Sequence, residues 1–101
     1  MRYFLEYDQV TVEPYLGGLD LSSEGFRALD RVLDTFAVSA DDFVRNPDLR
    51  LAPGSDCFQV YWTFRDPMTR IFHVLRLIVS DAAKPFGVLR IVYLEDTPIT
   101  P

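Results

Sequence analysis

The stretch Cys57-Phe58-Gln59-Val60-Tyr61-Trp62-Thr63-Phe64-Arg65 alternates between two sides, with Phe58, Val60, Trp62 and Phe64 on one and Gln59, Tyr61, Thr63 and Arg65 on the other. A period of two belongs to a β-strand with one covered face. Asp66-Pro67-Met68-Thr69 comes next, with proline at the second position of a type I turn, so a further strand should return antiparallel over residues 70–80. That segment holds Ile71-Phe72-His73-Val74-Leu75-Arg76-Leu77-Ile78-Val79, almost continuously apolar, the pattern of a central strand covered on both faces. A turn over 81–85 and a last strand over 86–94 complete the meander, and the tail over 95–101 reads as extended.

On the N-terminal side, Tyr3, Leu5 and Tyr7 alternate with Glu6 and Asp8, which predicts a first strand over 2–12. Glu13-Pro14 and Gly17-Gly18 break it. Ser22 then offers a helix cap with Glu24 in the first turn, and Phe26, Leu29, Val32, Leu33 and Phe36 form the apolar stripe of a helix over 23–37. Ser39 followed by Asp42 predicts the cap of a second, short helix that Asn46-Pro47 ends, with a loop over 46–56. The expected order is β-α-α-β-β-β: one α+β domain over 1–101, an antiparallel sheet with one or two helices on one face. The helix is expected to pack on Phe58, Val60, Trp62, Ile71, Leu75, Leu89 and Ile91.

Composition narrows the functional classes. At 101 residues and 49% hydrophobic, the chain can build one compact core but not a multidomain enzyme. Fifteen acidic against ten basic residues leave a net charge of −5, the wrong sign for gripping DNA over a broad surface. One cysteine, Cys57, and one histidine, His73, exclude a disulfide framework, a cysteine-based zinc site and a two-histidine metal site. No signal-peptide pattern and no apolar run of bilayer-spanning length is present, so a cytoplasmic location is expected and a membrane is not. Gly17-Gly18 lacks the spacing of a phosphate cradle, and Asp41-Asp42 and Glu95-Asp96 lack that of a calcium loop. No cofactor and no metal are expected, and the two acidic pairs read as solvated charges.

The element order, the opening Tyr3-Phe4-Leu5-Glu6-Tyr7-Asp8 and the Asp56-Cys57-Phe58 start of the second strand resemble the RelE/ParE toxin superfamily. The resemblance implies a toxin wrapped by an antitoxin and, in the RNases of the family, cleavage of mRNA in the ribosomal A site by cationic and tyrosine side chains on the sheet. Under it, Arg70 matches the arginine that opens the third strand, and the strand-two lysines of the RNases fall near Gln59 and Tyr61. The basic end of the family's last strand is here Tyr93-Leu94-Glu95-Asp96, and the family's C-terminal helix is absent or reduced to 96–101. Carboxylates at that point oppose stabilisation of a pentacovalent phosphate.

Closing the first hairpin with Arg65 opposite Arg70 puts Tyr61 opposite Val74, Gln59 opposite Arg76 and Trp62 opposite His73. Closing the second around Ser80 and Phe86 puts Arg76 opposite Arg90. The open face would then carry a candidate binding site of Gln59, Tyr61, Arg70, Arg76 and Arg90, with no catalytic residue assigned. Facing arginines repel unless an anion, an acidic partner or the carboxylates of Glu6, Asp8 or Glu13 lie between them. His73 falls on the helix-covered face and Cys57 on the other, which argues against a Cys-His pair. The leading expectation is a noncatalytic protein-binding module of RelE/ParE-like topology, its partner antitoxin-like or a target enzyme. A ribosome-dependent mRNA interferase and an acidic immunity or anti-defence inhibitor are the alternatives. Two strands apolar on both faces also lead us to expect a homodimer or a tight heteropartner.

Overall fold

The computed structural model describes residues 2–14, 24–66 and 70–99. Four strands, β1 (Phe4–Tyr7), β2 (Cys57–Arg65), β3 (Phe72–Ser80) and β4 (Val88–Ile99), form one sheet in the order β1-β4-β3-β2. Helix α1 (Glu24–Val44) covers one face, and short 3-10 turns occupy Pro47–Leu49 and Lys84–Phe86. The chain is therefore α+β with the order β-α-β-β-β. Its pairing, its helix and its strand lengths differ from the expectation.

The sheet is mixed. β2, β3 and β4 form the antiparallel meander, but β1 pairs parallel with β4, Phe4 beside Val88 through Tyr7 beside Ile91. Connecting β1 to the meander through α1 brings the chain back to the starting end of the sheet, which makes this pair parallel. β1 is also shorter than predicted. Asp8 ends it by accepting hydrogen bonds on Oδ1 from the backbone N–H of Val10 and Thr11, both at 2.9 Å, turning the chain so that Val12 enters the core.

The two predicted helices are one helix of 21 residues. Ser39 does not cap a new element, because its hydroxyl donates to the Thr35 carbonyl one turn back at 2.8 Å and so leaves the backbone helical. Leu29, Val32, Leu33, Phe36, Ala37, Ala40 and Val44 are buried along a single stripe. The expected cap at Ser22, the predicted helix start at Ser23, the Gly17-Gly18 break and Pro67 to Thr69 of the predicted hairpin turn lie outside the described residues.

Both hairpin registers are displaced from the expected ones. Arg65 pairs with Phe72, Tyr61 with Arg76, Gln59 with Ile78 and Trp62 with Leu75, a slip of two residues that preserves which face each side chain takes. The cause lies in the connection, where Asp66 N–H donates to the Ile71 carbonyl and Arg70 adopts φ 60°, so Arg70 and Ile71 belong to the turn. In the second hairpin Arg76 pairs with Glu95 and Arg90 with Ser80, because residues 81–87 form a longer connection than expected. β4 runs on to Ile99 and absorbs most of the predicted tail.

One extra residue in β4 changes its phase. Val79 lies beside Ile91 but Ile78 lies beside Tyr93, so Val92 is a β-bulge. Leu89 and Ile91 face the helix before it and Leu94 after it, and the Thr11 hydroxyl donates to the Val92 carbonyl at 2.7 Å. Of the expected packing surface, Phe58, Val60, Leu75, Leu89 and Ile91 are buried under α1, Trp62 is half-buried, and Ile71 stays in the connection.

Phe36 is fully buried and stands in tilted ring contact with Phe43, which reaches Trp62 in turn, each pair with centroids 5.7 Å apart. Phe36→Ala should therefore destabilise the fold by about 3–5 kcal/mol in urea unfolding, and a loss under about 1 kcal/mol would show that this stripe is not the core.

Candidate functional site

The sheet face opposite α1 is open. From one end to the other it presents Glu6, Arg90, Ser80 and Cys57 across one row, Tyr93, Ile78 and Gln59 across the next, then Glu95, Arg76 and Tyr61, then Thr97, Val74 and Thr63, and finally Ile99, Phe72 and Arg65. The bulge is responsible for the middle rows, since without it Tyr93 and Glu95 would point into the core.

Arg76 is the centre of this face. Its Nε donates to Gln59 Oε1 at 2.8 Å, and its guanidinium carbon stands 5.4 Å from the centre of the Tyr93 ring. Gln59 Nε2 donates to the Tyr61 hydroxyl at 3.2 Å, while the Tyr93 hydroxyl donates to Glu95 Oε2 at 2.9 Å. The bond to Glu95, aided by desolvation, raises the Tyr93 hydroxyl above its ordinary pKa. Although Glu95 is the register partner of Arg76, it makes no ion pair with it among the described residues. Arg76 is thus held in one orientation by an amide and a ring, with Glu95 across from it but not paired to it.

Arg90 behaves differently. Nη1 lies 3.0 Å from Glu6 Oε1 and Nη2 3.4 Å from Asp8 Oδ2, so two carboxylates of the β1 segment satisfy it. It neither faces nor repels Arg76, from which it is separated by four residues of β3 register, about 13 Å. Arg70 stands apart from both, exposed in the β2–β3 connection. Of the five expected residues, Gln59, Tyr61 and Arg76 come together, whereas Arg70 and Arg90 occupy opposite ends.

Side chains outside that set also bear on the face and its support. His73 Nδ1 lies 2.7 Å from Asp96 Oδ1, both half-buried on the helix-side face, with the ring stacked on Phe64 at 5.0 Å. Asp96 is therefore no solvated strand-end charge, and neither is Asp41, which accepts from the buried Tyr3 hydroxyl at 2.6 Å. Alternation places His73 on the core side, but only the bulge brings Asp96 there. Arg50, which nothing in the sequence marks, caps the helix by donating to the Val44 carbonyl at 2.7 Å and pairs with Asp81 at 2.7 Å over the Phe58 ring. Cys57 and His73 lie on opposite faces, and burial followed by the Asp56 carboxylate pushes the thiol pKa up, away from nucleophilic use. Among the described residues no group of three or more metal-ligating side chains gathers, and no helix is long and apolar enough to cross a membrane.

Comparison of the chain with protein-family models, with curated proteins and with solved structures gives no match. Of the resemblance to RelE/ParE toxins, the small α+β fold with a four-stranded mixed sheet is what stands.

Two predictions follow from these contacts. Removing the Arg50 side chain would strand Asp81 and the Val44 carbonyl, so Arg50→Ala should cost about 3–5 kcal/mol, and a neutral result would show the pair to be solvated. The Asp8 carboxyl is held down to about 2, first by the Thr11 and Val10 amides and least by Arg90. Its contribution is present above the ordinary value of 3.8 and is lost as pH falls toward about 2. Asp8→Ala should lower Tm at neutral pH, with the gap to the unaltered protein closing between about pH 4 and pH 2. A gap independent of pH would show that the charge of Asp8 plays no part.

Proposed function

We propose that the chain is a noncatalytic, cytoplasmic protein-binding module of RelE/ParE-toxin-like topology, whose partner, antitoxin-like or a target enzyme, docks on the open sheet face. The observation that carries this reading is Arg76, an oriented guanidinium with no ion-pair partner among the described residues, flanked by Tyr61, 61% exposed, with Phe72 and Ile99, 55% and 48% exposed, farther along the face. Arginine and tyrosine beside exposed apolar side chains are the composition of an interface hot spot. The complementary partner brings a carboxylate to Arg76 and an apolar side chain to Phe72.

An interferase would use the same face, but its chemistry needs several cations on one phosphate. Arg90 is already paired, Arg70 stands apart, and Glu95 adds negative charge beside Arg76. That spacing favours binding over cleavage.

In pull-downs from the native host, Tyr61→Ala and Arg76→Ala should each lose a partner that the unaltered protein retains, with the complex weakened by about 1–3 kcal/mol and the fold intact by circular dichroism. A second copy as the occupant would show itself as a concentration-dependent dimer that Tyr61→Ala dissolves. Ribosome-dependent mRNA cleavage by the purified protein, abolished in Arg76→Ala, would overturn the noncatalytic reading.

A further inference from the structure

A second surface lies on the other side of the sheet, between the outer edge of β1 and α1. Phe4 N–H donates to the Gly87 carbonyl at 2.9 Å and Asp8 N–H to the Ile91 carbonyl at 3.0 Å, so the even-numbered residues of this segment turn their backbone groups toward β4. By alternation, Leu5 and Tyr7 turn theirs outward. Among the described residues nothing pairs with them, and only Tyr3 is taken up, its N–H donating to the Ala37 carbonyl of α1 at 3.0 Å. Above that contact, strand and helix enclose a groove of about 420 Å³. Its floor is apolar, from Tyr3, Leu5, Tyr7 and Leu33, and its rim carries Asp30 and Asp34 together with Arg2, one negative charge in balance. Asp34 is paired with Arg2, while Asp30 has no ion-pair partner among the described residues. Asp30 and Tyr7 line the same groove, and burial, followed by the Asp30 carboxylate, raises the Tyr7 hydroxyl pKa.

We infer that this groove accepts an extended peptide segment of a partner protein as a fifth strand beside β1, with an apolar side chain on Leu5, Tyr7 and Leu33 and a basic side chain at Asp30. Three independent features converge on that occupant: unpaired edge backbone, an apolar trough beside it and a negative rim. A second copy of this chain fits less well, because two molecules each of net charge −5 would bring acidic rims together. Of the other open edges, β4 beyond Ile91 carries Pro98, which has no N–H to offer a new strand, and the outer edge of β2 is taken up at its start by the Arg50–Phe58 bridge and the Leu51 N–H on the Cys57 carbonyl, whereas β1 is the edge that lies beside the apolar trough. This surface is separate from Arg76 and the open face, so the inference stands whether or not that face binds protein.

The probe is a fluorescent six-residue peptide alternating valine and arginine, titrated onto the full chain. It should bind with shifts of the Leu5 and Tyr7 amide resonances. Three changes should each weaken it at least about tenfold: glutamate in place of its arginines, N-methylation of its strand-facing amides, and the surface substitution Asp30→Lys in the protein. Tyr61→Ala and Arg76→Ala should leave its affinity unchanged, which separates this site from the open face. The inference is overturned by no binding up to about 1 mM, by equal binding of the N-methylated peptide, or by loss of binding in Arg76→Ala. A dimer that forms through β1 without peptide would assign the groove to a second copy and would overturn it as well.

Discussion

The β-bulge at Val92 is the constraint on which the arrangement of both sheet faces depends. A strand of 12 residues with strict alternation, having placed Leu89 and Ile91 in the core, would next have placed Tyr93, Glu95 and Thr97 there. Burying Glu95 without a partner would cost more than the strand gains, since a desolvated carboxylate needs a counter-charge or hydrogen bonds. The extra residue resets the phase, so that Leu94 is buried, Asp96 meets His73, and Tyr93 and Glu95 move out to Arg76. The Thr11 hydroxyl on the Val92 carbonyl ties this reset to the turn that ends β1.

That turn also governs the charges of the open face. Asp8 holds the backbone of Val10 and Thr11 and at the same time reaches Arg90, which Glu6 approaches from the same strand. Both carboxylates arrive there because β1 lies parallel to β4 with Glu6 beside Arg90. Arg76, one strand farther in, lies beyond their reach and is contacted by neutral groups only. A single parallel pairing thus neutralises one cation and leaves another available. At the opposite corner, Arg50 joins the end of α1, the Phe58 ring and the β3–β4 connection, fixing the helix on the sheet at its C-terminal end.

The two surfaces differ in what they ask of a ligand. At the centre of the open face the backbone of β3 is paired on both sides, so recognition there falls to side chains such as Arg76, Tyr61 and Phe72. At the outer edge of β1 the backbone itself is available, and the side chains of α1 supply only an apolar trough and negative charge. Their opposite local polarity lets one small domain carry both without either ligand competing for the other's place.

By itself the sequence determined what depends on local periodicity. The alternation of Phe58, Val60, Trp62 and Phe64 specified β2 and its buried face, the stripe from Leu29 to Phe36 specified an amphipathic helix, and the phase of Gln59, Tyr61 and Arg76 put them together on the far side. Pairing across the sheet was decided by the tertiary structure. A slip of two residues keeps every side chain on its face and so leaves no mark in the pattern, while a bulge is invisible until a neighbouring strand fixes which residue is the extra one. The parallel placement of β1 and the capping by Arg50 share that origin. In these two a local signal consistent with two outcomes was resolved by a contact with a residue distant in the chain, while at Ser39 the continuity of α1 fell to a hydroxyl that bonds back to Thr35 within the helix.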